Sequence, residues 1–107
     1  MYLKLLNIDE ISEIYNTHMV KDFPKAELKP LDHIVNYMKN DICISVGMYE
    51  SPENNNETSF TPDLLAGYAT FIIPKDYNYC LLDYFAITAP NRGKGFGHTF
   101  FSLMKDF

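Results

Sequence analysis

Several features that would assign this sequence to a familiar class are missing from it. No apolar stretch is long enough to cross a bilayer and no secretory-type apolar core opens the chain, so we expect a cytoplasmic protein without membrane contact. No group of His, Cys, Asp and Glu has the spacing of a metal site, so no metal is expected. A long basic run is also absent, and the net charge of −5 argues against a nucleic-acid partner.

Cysteine is scarce, and the chain is short. Only Cys43 and Cys80 occur, both in apolar, strand-like runs, which is more typical of buried, reduced thiols than of a disulfide. The length of 107 residues suits a single domain over 1–107, and an apolar fraction of 47% is enough for a packed core.

The spacing of apolar residues predicts the element order β-α-α-β-β-β-α. Asn7 and Glu10 have the spacing of a capping box, and Pro24 disfavours helical geometry at Phe23, so the first helix should end near Asp22. Strands are expected over residues 2–6, 42–49, 64–73 and 79–88, a long hairpin loop over 51–62, and helices over 8–22, 30–39 and from Phe96 onward. Successive strands favour antiparallel hairpins with helices on the sheet faces, an α+β architecture.

Glycine is concentrated in one run, Arg92-Gly93-Lys94-Gly95-Phe96-Gly97, between the last strand and the last helix. Glycines permit a turn that a ligand can approach closely, and the following helix directs its free N–H groups and positive dipole end at that turn. Cations on either side of Gly93 add charge. The run therefore predicts an anion site of the kind that holds cofactor phosphates.

The spacing separates three known phosphate loops from this one. A hydroxyl residue does not follow Gly93-Lys94, which excludes a P-loop, and the third glycine of a dinucleotide fingerprint is missing. A kinase glycine loop would lie in a β-hairpin. What fits is Arg-x-x-Gly-x-Gly at Arg92, Gly95 and Gly97. With the strand before it, the stretch 82–97 resembles the acetyl-CoA-binding motif of the GNAT superfamily of N-acetyltransferases.

The resemblance implies a GNAT-like fold, a mostly antiparallel sheet flanked by helices, and an enzyme that transfers acetyl from acetyl-CoA to a primary amine by direct attack. Backbone groups of Phe85, Ala86 and Ile87 would pair with the pantetheine arm, and the N–H of Ile87 would meet the oxyanion. The pyrophosphate would bind to backbone N–H groups, and Arg92 and Lys94 would add positive charge. The residues that would form this site with Arg92 are Gly93, Lys94, Gly95, Phe96, Gly97 and His98.

Two acidic residues are candidates for the chemistry of the amine. Asp83 is an acid in an apolar strand, expected on the face of Phe85 and Ile87, and is either the general base or a hydrogen-bonded residue of the sheet margin. Glu27, in the connection that borders the acceptor pocket of GNAT folds, either attracts the ammonium or forms a surface pair with a neighbouring lysine.

The resemblance covers only the N-terminal part of the GNAT domain, so its C-terminal elements are expected to be missing. The outer edge of the strand over 79–88 would then be bare, and a homodimer would cover it. The rival function is a catalytically silent CoA-binding or regulatory module. The acceptor, a small-molecule or peptide amine, stays open.

Overall fold

A computed structural model describes residues 1–50, 64–76, 78–88 and 92–105. The hairpin loop predicted over 51–62 lies outside the described residues, as do Ala89, Pro90, Asn91 and the predicted apolar contribution of Phe107.

The observed element order agrees with the predicted one. Its members are β1 (Tyr2–Leu5), α1 (Ile8–Ile14), a π-helical turn (Tyr15–Met19), α2 (Val20–Asp22), α3 (Leu31–Lys39), β2 (Cys43–Glu50), β3 (Leu64–Ile72), β4 (Leu81–Ile87) and α4 (Phe96–Met104).

The capping box forms at the start of α1. The Asn7 side chain accepts a hydrogen bond from the Glu10 N–H at 2.8 Å, and the Glu10 carboxylate accepts from the Asn7 N–H at 3.0 Å. The helical segment ends at Asp22, as predicted, because Phe23 before Pro24 adopts an extended conformation.

The strands form one antiparallel sheet in the order β1-β2-β3-β4, so each strand pairs with its neighbours in sequence. This confirms an α+β architecture with an antiparallel sheet. In the described residues β4 is an edge strand, and it leads directly towards the glycine run.

Helices cover both faces of the sheet. On one face α1, the π-turn and α3 bury a cluster with side chains of β3 and β4: Ile11, Ile14, Met19, Ile34, Tyr68 and Tyr84. On the other face α4 buries Phe100 against β2 and β3, and Phe96, Leu103 and Met104 pack around it as the periodicity predicts. The central strand β3 is therefore buried on both sides, also as predicted.

Both thiols are free, but their environments differ. Cys43 is buried in β2, whereas Cys80 is exposed, so the prediction that both are buried is wrong for Cys80. The cause is the strand boundary, since β4 begins only at Leu81 and leaves Cys80 ahead of the sheet. The described helices are all too short or too polar to cross a membrane.

Candidate anion site at the end of the edge strand

The glycine turn owes its shape to two left-handed backbone conformations. Gly93 has φ +82° and Gly95 has φ +76°, values that residues with a side chain rarely adopt. A Cβ at either position would meet open space. Glycine is thus required here by backbone conformation and not by crowding. At Gly97 a Cβ would lie an ordinary 3.9 Å from the Phe85 ring.

The turn opens onto the N-terminus of α4. Gly95 is the N-cap residue and has no side chain to accept from the first N–H groups, which belong to Phe96, Gly97 and His98. Thr99 N–H donates to the Gly95 carbonyl at 3.3 Å, which begins the helical ladder. Lys94 is exposed beside these groups. The positive end of the helix dipole is therefore preceded, two residues before Phe96, by an exposed lysine.

Arg92 does not extend into solvent but folds back on the end of β4. Its Nε donates to the Ile87 carbonyl at 2.9 Å, and its Nη2 donates to Asp22 at 2.8 Å. The other oxygen of Asp22 accepts from the buried Tyr68 hydroxyl at 2.7 Å. No pattern in the sequence points to these contacts of Asp22 and Tyr68, because their partners lie far away along the chain.

The outer edge of β4 offers backbone groups at alternate residues. Thr88 N–H donates to the Ala66 carbonyl of the neighbouring strand at 2.9 Å. In an antiparallel ladder the direction of backbone groups alternates, so those of Ile87 and Phe85 point away from β3 and those of Ala86 point towards Tyr68. Two of the three residues predicted to pair with a strand-like ligand thus face outward, and Arg92 already uses the Ile87 carbonyl.

Asp83 lies in an ion pair and not on the predicted face of β4. Both carboxylate oxygens accept from the Lys29 ammonium, at 2.7 and 2.6 Å. Lys29 contacts Tyr84 as well, through its backbone N–H at 2.8 Å, and Tyr84 belongs to the face opposite Phe85. The reason is a β-bulge. Thr70 pairs with Tyr84 and Phe71 pairs with Leu82, so Asp83 has no paired residue on β3, and the alternation of side chains between the two faces of the sheet shifts by one residue.

The ion pair between Lys29 and Asp83 connects the α2–α3 connection, residues 23–30, to the sheet. Burial alone would lower the pKa of the Lys29 ammonium, but the hydrogen bond and charge of Asp83 outweigh it and hold that pKa above its ordinary value. Tyr84 adds a second tie, because its hydroxyl donates to the Glu27 carbonyl at 2.8 Å. Asp83 therefore has an evident structural role.

Glu27 lies exposed on this connection. A cleft of about 470 Å³ is present under the connection, but Glu27 is not among the side chains that line it: Tyr15, Val20, Lys25, Leu28 and Pro30. The structure thus brings Glu27 close to Tyr84 through its backbone only, and shows no ion pair for its carboxylate among the described residues.

A second cleft, which the sequence did not reveal, is acidic and lies near the end of β4. It has a volume of about 260 Å³ and is lined by Glu10, Glu13, Ile14, Thr17, His18, Tyr49 and Leu65. The Leu65 carbonyl accepts from the Thr88 hydroxyl at 3.2 Å, which joins the cleft to the residue that follows β4. The π-turn supplies Thr17 and His18.

The two carboxylates of this cleft differ in what they contact. Glu10 accepts from the Asn7 N–H and from the Lys4 ammonium, and these contacts, in that order, hold the pKa of its carboxyl below its ordinary value. Burial raises the pKa of the neighbouring Tyr49 hydroxyl, which stays protonated. Glu13 has no ion pair within the described part of the chain, and so is the carboxylate available to a cation.

Among the described residues, three or more His, Cys, Asp or Glu side chains nowhere come together in a way that would hold a metal ion. Comparison with protein families, with curated proteins and with solved structures finds no match for this chain. Its function must therefore be inferred from its own residues.

Proposed function

We propose that this chain binds acetyl-CoA and transfers the acetyl group to a primary amine, as its resemblance to GNAT N-acetyltransferases implies. The observation that carries the proposal is the glycine turn, which opens α4 at the end of an edge strand with Gly93 and Gly95 in left-handed conformations. A helix N-terminus beside an outward-facing strand edge suits a ligand with phosphates at one end and an amide-bearing arm at the other.

In this proposal the pyrophosphate binds over the first N–H groups of α4, and Arg92 and Lys94 supply positive charge. The pantetheine arm runs along the outer edge of β4 as an added strand. Its amides bond to Phe85 and Ile87, since the backbone groups of Ala86 are directed to β3. The Ile87 N–H then lies where the oxyanion of the attacked thioester carbonyl would form.

The chemistry requires a neutral amine. Its nitrogen attacks the thioester carbonyl, a C–N bond forms, the C–S bond breaks, and the thiolate takes up a proton. Asp83 is proposed as the base that accepts the proton of the amine. Lys29 Nζ lies 2.7 and 2.6 Å from its two oxygens, so the proton is accepted at a lone pair that Lys29 leaves free.

The acceptor amine is proposed to approach through the acidic cleft, where the Glu13 carboxylate can attract an ammonium ion. Glu27 is the competing candidate from the resemblance, on the connection tied to β4. Both positions remain compatible with either a small molecule or a peptide as acceptor.

A specific observation favours the second candidate function, a catalytically silent CoA-binding or regulatory module. Asp83, the acid on β4 proposed as the base, is held by Lys29 on both oxygens. A chain of this kind would keep the cofactor site without turnover. We also propose that two copies pair along the outer edge of β4, whose first two residues, Leu81 and Leu82, are exposed.

Calorimetric titration with acetyl-CoA tests the cofactor site. Gly97 lies in the first turn of α4, where its φ is not left-handed, so a side chain there keeps the fold. Gly97→Glu places a carboxylate where the pyrophosphate should bind, and Gly97→Gln has the same size without the charge. We expect the Glu variant to bind acetyl-CoA about tenfold more weakly than the Gln variant. Equal affinities, or no binding by the wild-type chain, would contradict the proposal.

Release of CoA thiol in the presence of a panel of amines separates the two candidate functions. Amine-dependent release supports the acetyltransferase. Tight binding of acetyl-CoA without any release, by a chain whose folding is verified by circular dichroism, supports the silent module.

A further inference from the structure

Asp22 is a nearly buried carboxylate between two groups that belong to different parts of the fold. Its side chain is 10% exposed, one oxygen accepts from Arg92, and the other accepts from Tyr68, which is fully buried in β3. An acid at the end of α2 is thus fixed to the centre of the sheet and bonded to the first residue of the glycine turn.

The Tyr68 hydroxyl is a reliable donor to this carboxylate. Burial, together with the hydrogen bond and charge of Asp22, raises the pKa of Tyr68, so the phenol remains protonated over the whole physiological range. The hydrogen bond from Tyr68 therefore restricts rotation of the Asp22 carboxylate. The oxygen that accepts this bond is held in place relative to the sheet.

Arg92 is held at two points and yet is 53% exposed. Its Nε covers the Ile87 carbonyl and its Nη2 reaches Asp22, which leaves further guanidinium N–H groups for a ligand. Arg92 is also the only arginine in the chain. A planar guanidinium with two fixed bonds has lost most of its side-chain freedom before any ligand arrives.

We infer that Asp22 is a positioning residue: held by Tyr68, it fixes Arg92 across the Ile87 carbonyl and so keeps the glycine turn against the end of β4. The conformational part of this inference stands on the contacts alone. Its consequence for ligand affinity rests on the proposed function, because it assumes an anionic ligand at the turn.

A positioning role for Asp22 and simple electrostatics predict opposite effects of Asp22→Asn on anion binding. Asp22 carries a negative charge next to the proposed phosphate site, so its removal by Asp22→Asn should strengthen anion binding if charge is all that matters. If Asp22 positions Arg92, the same change should weaken binding, because the guanidinium must then be ordered by the ligand itself.

The conformational part is tested without ligand. Hydrogen exchange is measured at the hydrogen-bonded amides on either side of the turn, those of Thr88 and Thr99. Phenylglyoxal, an arginine reagent, reports on Arg92, the only arginine of the sequence. Asp22→Asn and Tyr68→Phe should both exchange and react several-fold faster than wild type, whereas Asp41→Asn should not. Asp41 is a matched control because it is exposed and has φ +57°, which asparagine tolerates. Unchanged exchange and reaction rates in both test variants would overturn the inference.

The ligand part is tested by calorimetric titration of the same variants with CoA. We expect about tenfold weaker binding for Asp22→Asn than for Asp41→Asn, although both remove one negative charge. Tighter or equal binding by Asp22→Asn would overturn the positioning role. If the wild-type chain binds no CoA while Asp22→Asn still accelerates exchange and Arg92 modification, the proposed function fails and the positioning of the turn stands.

Discussion

At the scale of single residues, the ion pair with Lys29 changes how Asp83 is interpreted as a candidate general base. An acid in an apolar strand is a reasonable base, but here Lys29 donates to both of its oxygens and joins it to the α2–α3 connection. The same carboxylate can have a structural or a chemical role, and these roles respond differently to removal of the partner.

We predict that Asp83→Asn and Lys29→Met each lower the free energy of unfolding by about 1–2 kcal/mol, because each leaves a half-buried partner without its counter-charge. The two single variants and the double variant form a cycle, measured by urea unfolding, that should show a favourable coupling energy. If Asp83 is also the base, Asp83→Asn loses amine acetylation while Lys29→Met keeps it. Additive stability changes would contradict the structural role, and full activity of Asp83→Asn would contradict the chemical one.

The lysine of this pair also predicts a response to alkaline pH. The pKa of Lys29 is raised in the folded chain, so its contribution to stability is complete below its unfolded value of 10.5. That contribution is lost as the pH rises through the folded value. The stability difference between wild type and Lys29→Met should therefore shrink above about pH 10.5 and stay constant between pH 7 and 9.

Glu13 and Glu27 are the two carboxylates that compete for the acceptor amine. We predict that Glu13→Gln raises the KM for a cationic acceptor several-fold with little change in acetyl-CoA affinity, because Glu13 lines the acidic cleft, whose lining includes no residue of the glycine turn. Glu27→Gln is the matched control, since it removes the same charge from an exposed site. A larger effect of Glu27→Gln would place the acceptor at the α2–α3 connection.

At the scale of elements, the capping box gives α1 a pH-dependent start. Hydrogen bonding by the Asn7 N–H, followed by Lys4, lowers the folded pKa of Glu10, so its contribution is present above the unfolded value of 4.5 and is lost as the pH falls through the folded value. We predict that Glu10→Gln, which keeps an acceptor for the box, lowers stability at pH 7 by roughly 0.5–1 kcal/mol.

The difference between wild type and Glu10→Gln should shrink as the pH falls below 4.5 through the lowered pKa of Glu10. Urea unfolding followed by circular dichroism at pH 7, 5 and 3 measures it. Glu13→Gln makes the same charge change on α1 outside the box and is the control for the change in net charge. A Glu10→Gln difference that persists undiminished at pH 3 would show that charge is not what stabilises the helix start.

The elements were predictable because their causes are local. Apolar spacing, the Asn7–Glu10 pair and Pro24 each act over a few residues, and they correctly predicted the order of helices and strands along the chain and the end of the first helix. The bulge at Asp83 is not local in this sense, because it depends on how β4 registers against β3. Because the bulge shifts the alternation of side chains along β4 by one residue, Asp83 lies on the opposite face of the sheet from the one expected.

The site could be predicted only in part, for the same reason. The glycine turn follows from neighbouring residues, and its left-handed glycines agree with that expectation. The bridge from Tyr68 through Asp22 to Arg92 joins three segments that meet only in the folded sheet, so no spacing in the sequence indicates it. The acidic cleft likewise needs the π-turn and the ends of β2 and β3 in one place.

At the scale of the whole molecule, the outer edge of β4 is the proposed binding site of both the cofactor and a second copy of the chain. A pantetheine arm and a second copy of the chain would both pair with the outward backbone groups of Phe85 and Ile87. The two cannot occupy the edge together. Binding of acetyl-CoA and pairing of two copies are therefore expected to compete.

We predict a concentration-dependent mass of twice the chain in sedimentation velocity, which falls to that of the single chain when acetyl-CoA saturates. Leu82→Lys, on β4, should weaken pairing because a lysine disfavours edge-to-edge contact. Leu5→Lys makes the same change at an exposed residue of β1, the opposite edge, and should leave the mass unchanged. A dimer that withstands saturating acetyl-CoA, or that responds equally to both variants, would show that the two copies meet elsewhere. A single-chain mass at all concentrations would leave the edge to the cofactor alone.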